Sequence, residues 1–472
     1  MVTFLVALLA LILGFFIYGK IVDTFFGPTD KPTPAVVHND GVDYIPLPTW
    51  KVFMIQLLNI AGLGPIFGAL GGAMWGPSVY LWIVFGTIFA GGVHDYLSGM
   101  ISLREDGKSI SEVVGHHMGS TMLMIMRVFA VVLLVLVGTV FATGPAGLLS
   151  KLTGVAVTYV LPCVFLYYFL ATLLPVDKII ARFYPLFGAC LIIMALGIMG
   201  AMLLGVGGHH MPELTLANLH PAGADKMPIW PLMFITVACG AISGFHSTQS
   251  PIMSRCLKDE RLGRPVFYGA MVAEGIIALI WATAGITFYE STGGLAAAMK
   301  AGGAGTVVYD ICVGFMGTGV GATLAMLGVV ACPITSGDTA FRSARLTLAD
   351  WIGMEQKFPA KRLMLAVPIL AIGGILSQMD FNIIWRYFSW TNQTLAMIVL
   401  WTGAVYLYRT KPGSKAYLIP AIPATFMAAV TSTYILQAPE GFQLASSITY
   451  PIGIVFAVVC VFLFAKSTLM KK

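Results

Sequence analysis

The sequence predicts an all-α, polytopic membrane protein of about thirteen transmembrane helices, ten of which form a five-plus-five inverted repeat. Three observations carry this expectation. Apolar residues make up 58% of the 472 residues and charged ones only 10%, whereas soluble domains are nearer a quarter charged. Apolar runs of roughly 20 residues, long enough to cross a bilayer, follow one another along most of the chain. All but four of the 27 Lys and Arg fall in alternate loops, as the positive-inside rule requires. Cytosolic and secreted enzymes are thereby excluded. Outer-membrane barrels are excluded too, since those show short alternating strands. The net charge of +6 sits in loops and points to the lipid bilayer, with no nucleic-acid partner.

Spans 1 to 13 are expected at about 2–19, 50–73, 78–103, 122–143, 155–174, 182–205, 230–253, 266–290, 314–337, 362–377, 383–408, 417–436 and 446–465. The ninth extends toward 306 if Asp310 is tolerated. An N-terminus outside leaves only Lys151, Lys226, Lys300 and Arg386 on the outer side. The cytoplasmic segments then collect the rest, including Lys178, Arg182, Lys357, Lys471 and Lys472, and the C-terminus is cytoplasmic. Span 1 lacks a basic region before it and has Lys20 after it, which fits a reverse signal-anchor better than a cleaved signal. Seven cysteines, six of them in or beside spans and none in a CxxC pair, predict neither a disulfide framework nor a zinc site. The chain divides into 1–49 (span 1 and a Pro-rich cytoplasmic loop), 50–205 (first repeat), 206–408 (second repeat) and 409–472 (two added helices).

Two spans carry the repeat. Span 2 contains IAGLGPI (60–66) and span 7 contains CGAISGFHSTQSP (239–251). Gly and Pro at mid-span free backbone groups that must be satisfied by protein, water or ligand. Being five apart, the two spans cross in opposite directions, the pattern of an inverted-repeat secondary transporter. Gly and Pro are also common in ordinary membrane helices. A kink facing lipid, however, has no use for the polar groups Ser243, His246, Ser247, Thr248, Gln249 and Ser250.

Each remaining constellation has a structural alternative. At the half-helix beginning GFHSTQSP (244–251), free N–H groups suit a carboxylate, and His246 can bind substrate or carry a proton; otherwise it is a packed His. In TSGDT (335–339), Thr335, Ser336 and Asp338 suit Na⁺ or a proton, and Asp338 or Thr339 equally suits a helix N-cap. Within GGVHDY (91–96), His94 and Asp95 point about 100° apart on a helix, so at most one faces a given cavity. As an intramembrane ionisable group, Asp95 is a functional candidate, or else the partner of a base such as Arg104. Glu274 is an isolated carboxylate. In WRYFSWTNQT (385–394), Asn392 and Gln393 satisfy broken backbone or bind substrate, and Arg386 attracts an anion or snorkels. His209, His210, Glu213 and His220 gather outside without the spacing of a structural zinc site, so no metal is expected. His116 and His117 read as loop residues. No P-loop, dinucleotide fingerprint or HExxH occurs, leaving ion coupling as the energy source and no enzymatic motif.

The blocks GPIFGAL (64–70), WGPSVYLWIVFGTIFAGGVHDYLSGMISLREDGKSISEVVGHHMG (75–119), GFHSTQSPIMSRCLK (244–258), TSGDTAFRSARL (335–346) and WRYFSWTNQTLA (385–396) resemble the carbon starvation protein A family. The resemblance runs through nearly the whole chain, as a short member. It implies a bacterial inner-membrane uptake system induced by nutrient limitation, for pyruvate in some members and peptides in others. It also implies kinship with the amino acid–polyamine–organocation superfamily and its LeuT-like five-plus-five fold. No residue roles are carried over from it.

The expected function is secondary active import of a small carboxylate such as pyruvate. The substrate site is expected at Gly62, Gly64, Pro65, Ser243, His246, Ser247, Thr248, Gln249, Ser250, Asn392 and Gln393. Coupling to H⁺ falls to Asp95, His94, Asp338, His246 or Glu274, or to Na⁺ at Thr335, Ser336 and Asp338, with no other cofactor. Uptake of short peptides or amino acids is the alternative. A membrane-embedded sensor or channel is the rival of another class.

Overall fold

The computed structural model describes residues 1–40, 44–173, 177–356 and 358–468, with 177–185 described by backbone alone. Of the basic residues counted above, Lys357, Lys471 and Lys472 lie outside the described residues, as do the side chains of Lys178 and Arg182. Helices are the only regular structure among the described residues. Eight helical segments are long and apolar enough to cross a membrane, and a ninth is the bent pair Thr49–Ile60 and Gly64–Trp75, which meet at 53°. The other four expected spans also coincide with helical stretches, and each has a reason to fall short of that test. Span 5 is brief (Val157–Leu173) and span 7 is interrupted. Span 3, which ends in Gly92–Arg104, and span 11, Phe381–Thr410, are diluted by buried polar residues. The fold is the expected all-α, polytopic one.

One stretch differs from expectation. Residues ahead of span 9 do not extend it but form a separate helix, Thr292–Met316, folded at Gly303 and ended at Gly317, both with positive φ. Its apolar face is buried against protein, with Val307, Val308, Ile311 and Cys312 all fully covered. Span 9 then runs unbroken from Thr318 to Ile352.

The two faces of the molecule are tied differently. On the face carrying the N-terminus, the Met1 amine and the Val2 and Thr3 amides donate to Glu213 at 2.6, 3.0 and 2.9 Å. The Met1 ammonium, with help from Thr3, draws the Glu213 carboxyl down to about 2. The helix 292–316 joins this face through a 2.7 Å bond from Thr292 to the Leu219 carbonyl.

On the opposite face the Pro-rich segment after span 1 lies as a strap. Thr33 bonds the Leu257 carbonyl, and the amides of Ile45 and Leu47 bond the carbonyls of Arg255 and Cys256 at 3.2 and 3.1 Å. Arg104 grips Glu260 through two bonds of 3.0 and 3.1 Å and the Gly27 carbonyl at 2.7 Å. The expected loop residues His116 and His117 instead end a capped helix, Ile110–Met118. Both rings bond Glu105, at 3.0 and 2.6 Å. Burial opposes ionisation of Glu105, but the two histidines outweigh it and hold the carboxyl below its usual range.

Glycine sets how closely the central spans approach. A Cβ on Gly64 would collide with Cys239 of span 7, and one on Gly91 with the Ala241 backbone carbonyl. Small residues at such positions let membrane helices touch backbone to backbone. Gly64→Ala is expected to cost about 1–3 kcal/mol of overpacking, read as a lower thermal midpoint of the purified protein. Adding Cys239→Gly should restore most of it.

Candidate functional site

The site forms where the two breaks meet. In span 7 the helix stops at Thr236 and resumes at Gly244, and Gly240 between them takes φ +88°. Span 11 repairs the gap. Asn392 Oδ1 accepts from the Phe245 amide at 2.7 Å and from the Ser243 hydroxyl at 3.1 Å, while its amide group donates to the Ala238 carbonyl at 3.3 Å. Gln393 donates to the carbonyls of Phe234 and Val237 at 2.7 and 3.2 Å. Of the two roles left open for Asn392 and Gln393, the structure therefore displays the backbone-satisfying one. Gly62, Gly64 and Pro65 line the other side of the junction, with Phe141 against Gly62 and Cys239 against Gly64.

The hydroxyls of the half-helix mostly serve its own backbone. Ser247 bonds the Gly244 carbonyl, Thr248 the Phe245 carbonyl and Ser250 the His246 carbonyl. The Gln249 amide donates to Thr248 at 2.9 Å. Gln56 of span 2 reaches Ser250 at 3.3 Å.

Beside the break lies a buried chain of titratable groups from three spans. His246 Nδ1 is 2.8 Å from Asp95 Oδ2, and the other Asp95 oxygen is 2.8 Å from His94 Nδ1. His94 and Asp95 thus join one cluster instead of facing apart, because the side chains fold toward each other. Asp95 pairs with His246 and not with Arg104, which is taken by Glu260. On its far side His246 Nε2 stands 3.3 Å from Glu274, without the alignment of a hydrogen bond. All four side chains are fully buried, and neither Glu274 oxygen makes a well-aligned hydrogen bond among the described residues. Glu274 is therefore not isolated, as the sequence suggested, but the end of an acid–imidazole–acid row. Such a row can pass one proton between His246 and Glu274 with little atomic movement. Cys239 Sγ lies within 4.8 Å of the His246 and Glu274 ligand atoms, so the same pocket has the donor set for a soft cation.

The second predicted coupling group does not assemble around a cation. Thr335 and Ser336 both bond the Cys332 carbonyl, at 2.7 and 3.1 Å, and Asp338 pairs with Arg342 one turn on at 3.2 Å. The N-cap alternative fails as well, since 335–339 lies inside the continuous helix Cys332–Ile352. Arg386 is not a lipid anchor: its Nε donates to buried Glu440 at 2.8 Å, which fixes the guanidinium and commits one of its five N–H groups. The outer His group is also dispersed, with Glu213 on the N-terminus, His220 on the Trp75 ring and His209 3.6 Å from Glu290.

Two cavities approach the break. One of about 260 Å³ opens toward the strap face and is lined by Thr248 and Arg255 of the half-helix, Arg127 of span 4, Glu112 and Asp350. The other, about 100 Å³, lies toward the N-terminal face beside Phe67 and Trp385. Along span 4 between them Phe141 meets Phe245 edge to face at 6.2 Å, both buried.

The family described as Carbon starvation protein CstA matches residues 1–163, 147–292 and 282–434. An uncharacterized membrane protein of Haemophilus influenzae is 41% identical over 352 residues, 64% of this chain and 95% of that one. The Bacillus subtilis peptide transporter CstA is 28% identical, covering 84% of this chain and 83% of that one. The Escherichia coli pyruvate/proton symporter BtsT is 26% identical over 53% of this chain and 43% of its own length. Among solved structures, Mhp1 in an inward-facing conformation aligns with TM-score 0.53 and 14% identity over 94% of both chains, a likeness of fold.

Asn392→Leu should leave the Phe245 amide and the Ala238 carbonyl unpaired, costing about 2–6 kcal/mol at roughly 1–3 per buried group. Asn392→Asp keeps the acceptor for Phe245 and should lose less. Thermal unfolding of the purified variants checks both.

Proposed function

This chain belongs to the carbon starvation protein CstA family and is a multi-pass membrane transporter, and from that premise we propose that it imports a small carboxylate such as pyruvate, driven by protons. The observation that carries the reading is the buried Asp95–His246–Glu274 row. A carboxylate with no well-aligned hydrogen bond, away from water, is costly as an anion, so Glu274 serves as the proton seat, with His246 as its exchange partner at 3.3 Å. His94 orients Asp95. The substrate carboxylate takes the N–H groups opening the half-helix at Gly244, where Asn392 now holds the Phe245 amide, with Gly62, Gly64 and Pro65 leaving room on the opposite wall. The protein lies in the bacterial inner membrane with its N-terminus outside, the orientation favoured by the distribution of Lys and Arg. The strap face is then cytoplasmic.

A second reading, short peptides or amino acids, is favoured by the larger cavity. Arg127 and Arg255 face it together with Glu112 and Asp350, which supplies partners for both ends of a zwitterion. The Bacillus subtilis relative also carries the name of a peptide transporter. A channel or sensor would not concentrate anything.

Uptake of labelled pyruvate into proteoliposomes under an imposed pH gradient separates these readings. One proton per pyruvate and one pH unit sustain about tenfold accumulation; a channel gives none. Entry of labelled dipeptide with no pyruvate signal would move the substrate to the second reading. Glu274→Gln should abolish gradient-driven accumulation while leaving exchange of internal for external substrate. Asp338→Asn, whose carboxylate is paired with Arg342, should accumulate substrate as the parent does; loss in this variant instead would return coupling to span 9.

A further inference from the structure

We propose that the cavity on the N-terminal face is an outer binding site for a small monocarboxylate, occupied before the substrate reaches the break. The inference rests on the carboxylate reading above and adds a second site to it. Its chemistry is one-sided. Arg386, Asn382 and His220 line the cavity, and its described lining includes no Asp or Glu. The walls are apolar, chiefly Phe67, Trp75 and Trp385. An anion finds donors there, and an ammonium group finds no counter-charge.

Each donor is positioned and has a hydrogen to give. Arg386 is fixed by its Nε bond to Glu440, which also takes the Tyr434 hydroxyl. A guanidinium carries five N–H groups, so donors remain on its Nη atoms. His220 accepts the Ala222 amide on Nδ1 at 3.2 Å, which leaves the proton on Nε2. Its ring is held against Trp75 with centroids 4.5 Å apart, and burial lowers its tendency to charge. It is thus a neutral donor at pH 7. The side-chain amide of Asn382 has no hydrogen-bond partner among the described residues, its backbone amide being the one that donates to Asp380, and it sits at the exposed start of span 11.

Size restricts the ligand further. A buried water needs roughly 10–15 Å³ of such volume, so the 100 Å³ here holds about seven to ten waters. That suits a three-carbon keto or hydroxy acid and is tight for all but the smallest dipeptides. The floor is Phe67, stacked obliquely on Trp385 at 6.0 Å, on the same half of span 2 that leads down to Pro65 and Gly64. The cavity therefore lies on the path to the central site and selects by charge and length before the break is reached.

The experiment combines pyruvate uptake kinetics in proteoliposomes with calorimetric titration of pyruvate into the purified protein in lipid nanodiscs. In His220→Leu/Asn382→Leu, both positions lying outside the packed core, the KM for uptake should rise about tenfold. The maximal rate and the dependence on the pH gradient should hold, and calorimetry should lose one of two binding events. Met299→Trp, which fills the cavity from the helix 292–316, should do the same by bulk alone, and Asn382→Gln should restore the parent KM. An unchanged KM with unchanged binding stoichiometry in both cavity variants would overturn the proposal. If the parent protein takes up no monocarboxylate, the transport reading fails; calorimetry then still tests the outer site, which stands if pyruvate binds the parent and not the cavity variants.

Discussion

Inside hydrocarbon every peptide group must find its partner within the protein, because no water is present to supply one. This chain breaks two central helices under that constraint, and much of its polar composition follows from having done so. Span 11 contributes Asn392 and Gln393, whose amides reach four carbonyls and amides around the gap in span 7. An amide side chain suits the task because it donates and accepts at once without bringing a charge. The break in span 2 is served by closeness instead: glycine removes the side chain and the two interrupted segments lie backbone against backbone. A junction held this way is rigid in its hydrogen bonding while presenting few side chains of its own.

The titratable row beside the junction depends on the same geometry. His246 begins the second half of span 7, so the repaired break fixes where its ring sits. Its neighbours come from span 3 and span 8, which glycines bring close. Asp95 is doubly hydrogen-bonded and Glu274 is not, and that inequality gives the two carboxyls different tasks although both are equally buried. Two ionised carboxylates and one imidazolium would leave a net charge of −1 in low dielectric, at a cost of several kcal/mol. One added proton balances it.

The fold was legible in the sequence because bilayer thickness and Lys/Arg placement act on each span independently of its neighbours. Apolar runs located segments that coincide with helices, and the Gly-Pro clusters located both breaks. Residues 292–316 were harder, since an apolar helix buried against protein has the composition of one buried in lipid. The candidate site was legible one residue at a time and not as pairs. Nothing local to Glu274 announces His246, 28 positions earlier, and the contact exists only once spans 7 and 8 pack. Conversely, Asp338 looked available because its partner Arg342 is one helical turn away, and the continuity of that helix was not visible beneath its Ser, Thr and Gly. Asn392 carried two roles that the residue type alone does not separate.

The strap also bears on how the protein is made. Residues 27–47 emerge early from the ribosome, yet their partners are Arg104 and the stretch from Arg255 to Glu260. At about 5–20 residues per second, the strap waits on the order of ten seconds or longer for the second half of its seat. Throughout that interval spans 1 to 7 enter the membrane with the segment between the first two unfastened. The Pro-rich composition keeps it from forming a competing helix meanwhile. Its docking can follow only after span 7 and the turn beyond it have been made, a clasp that joins the start of the chain to its middle.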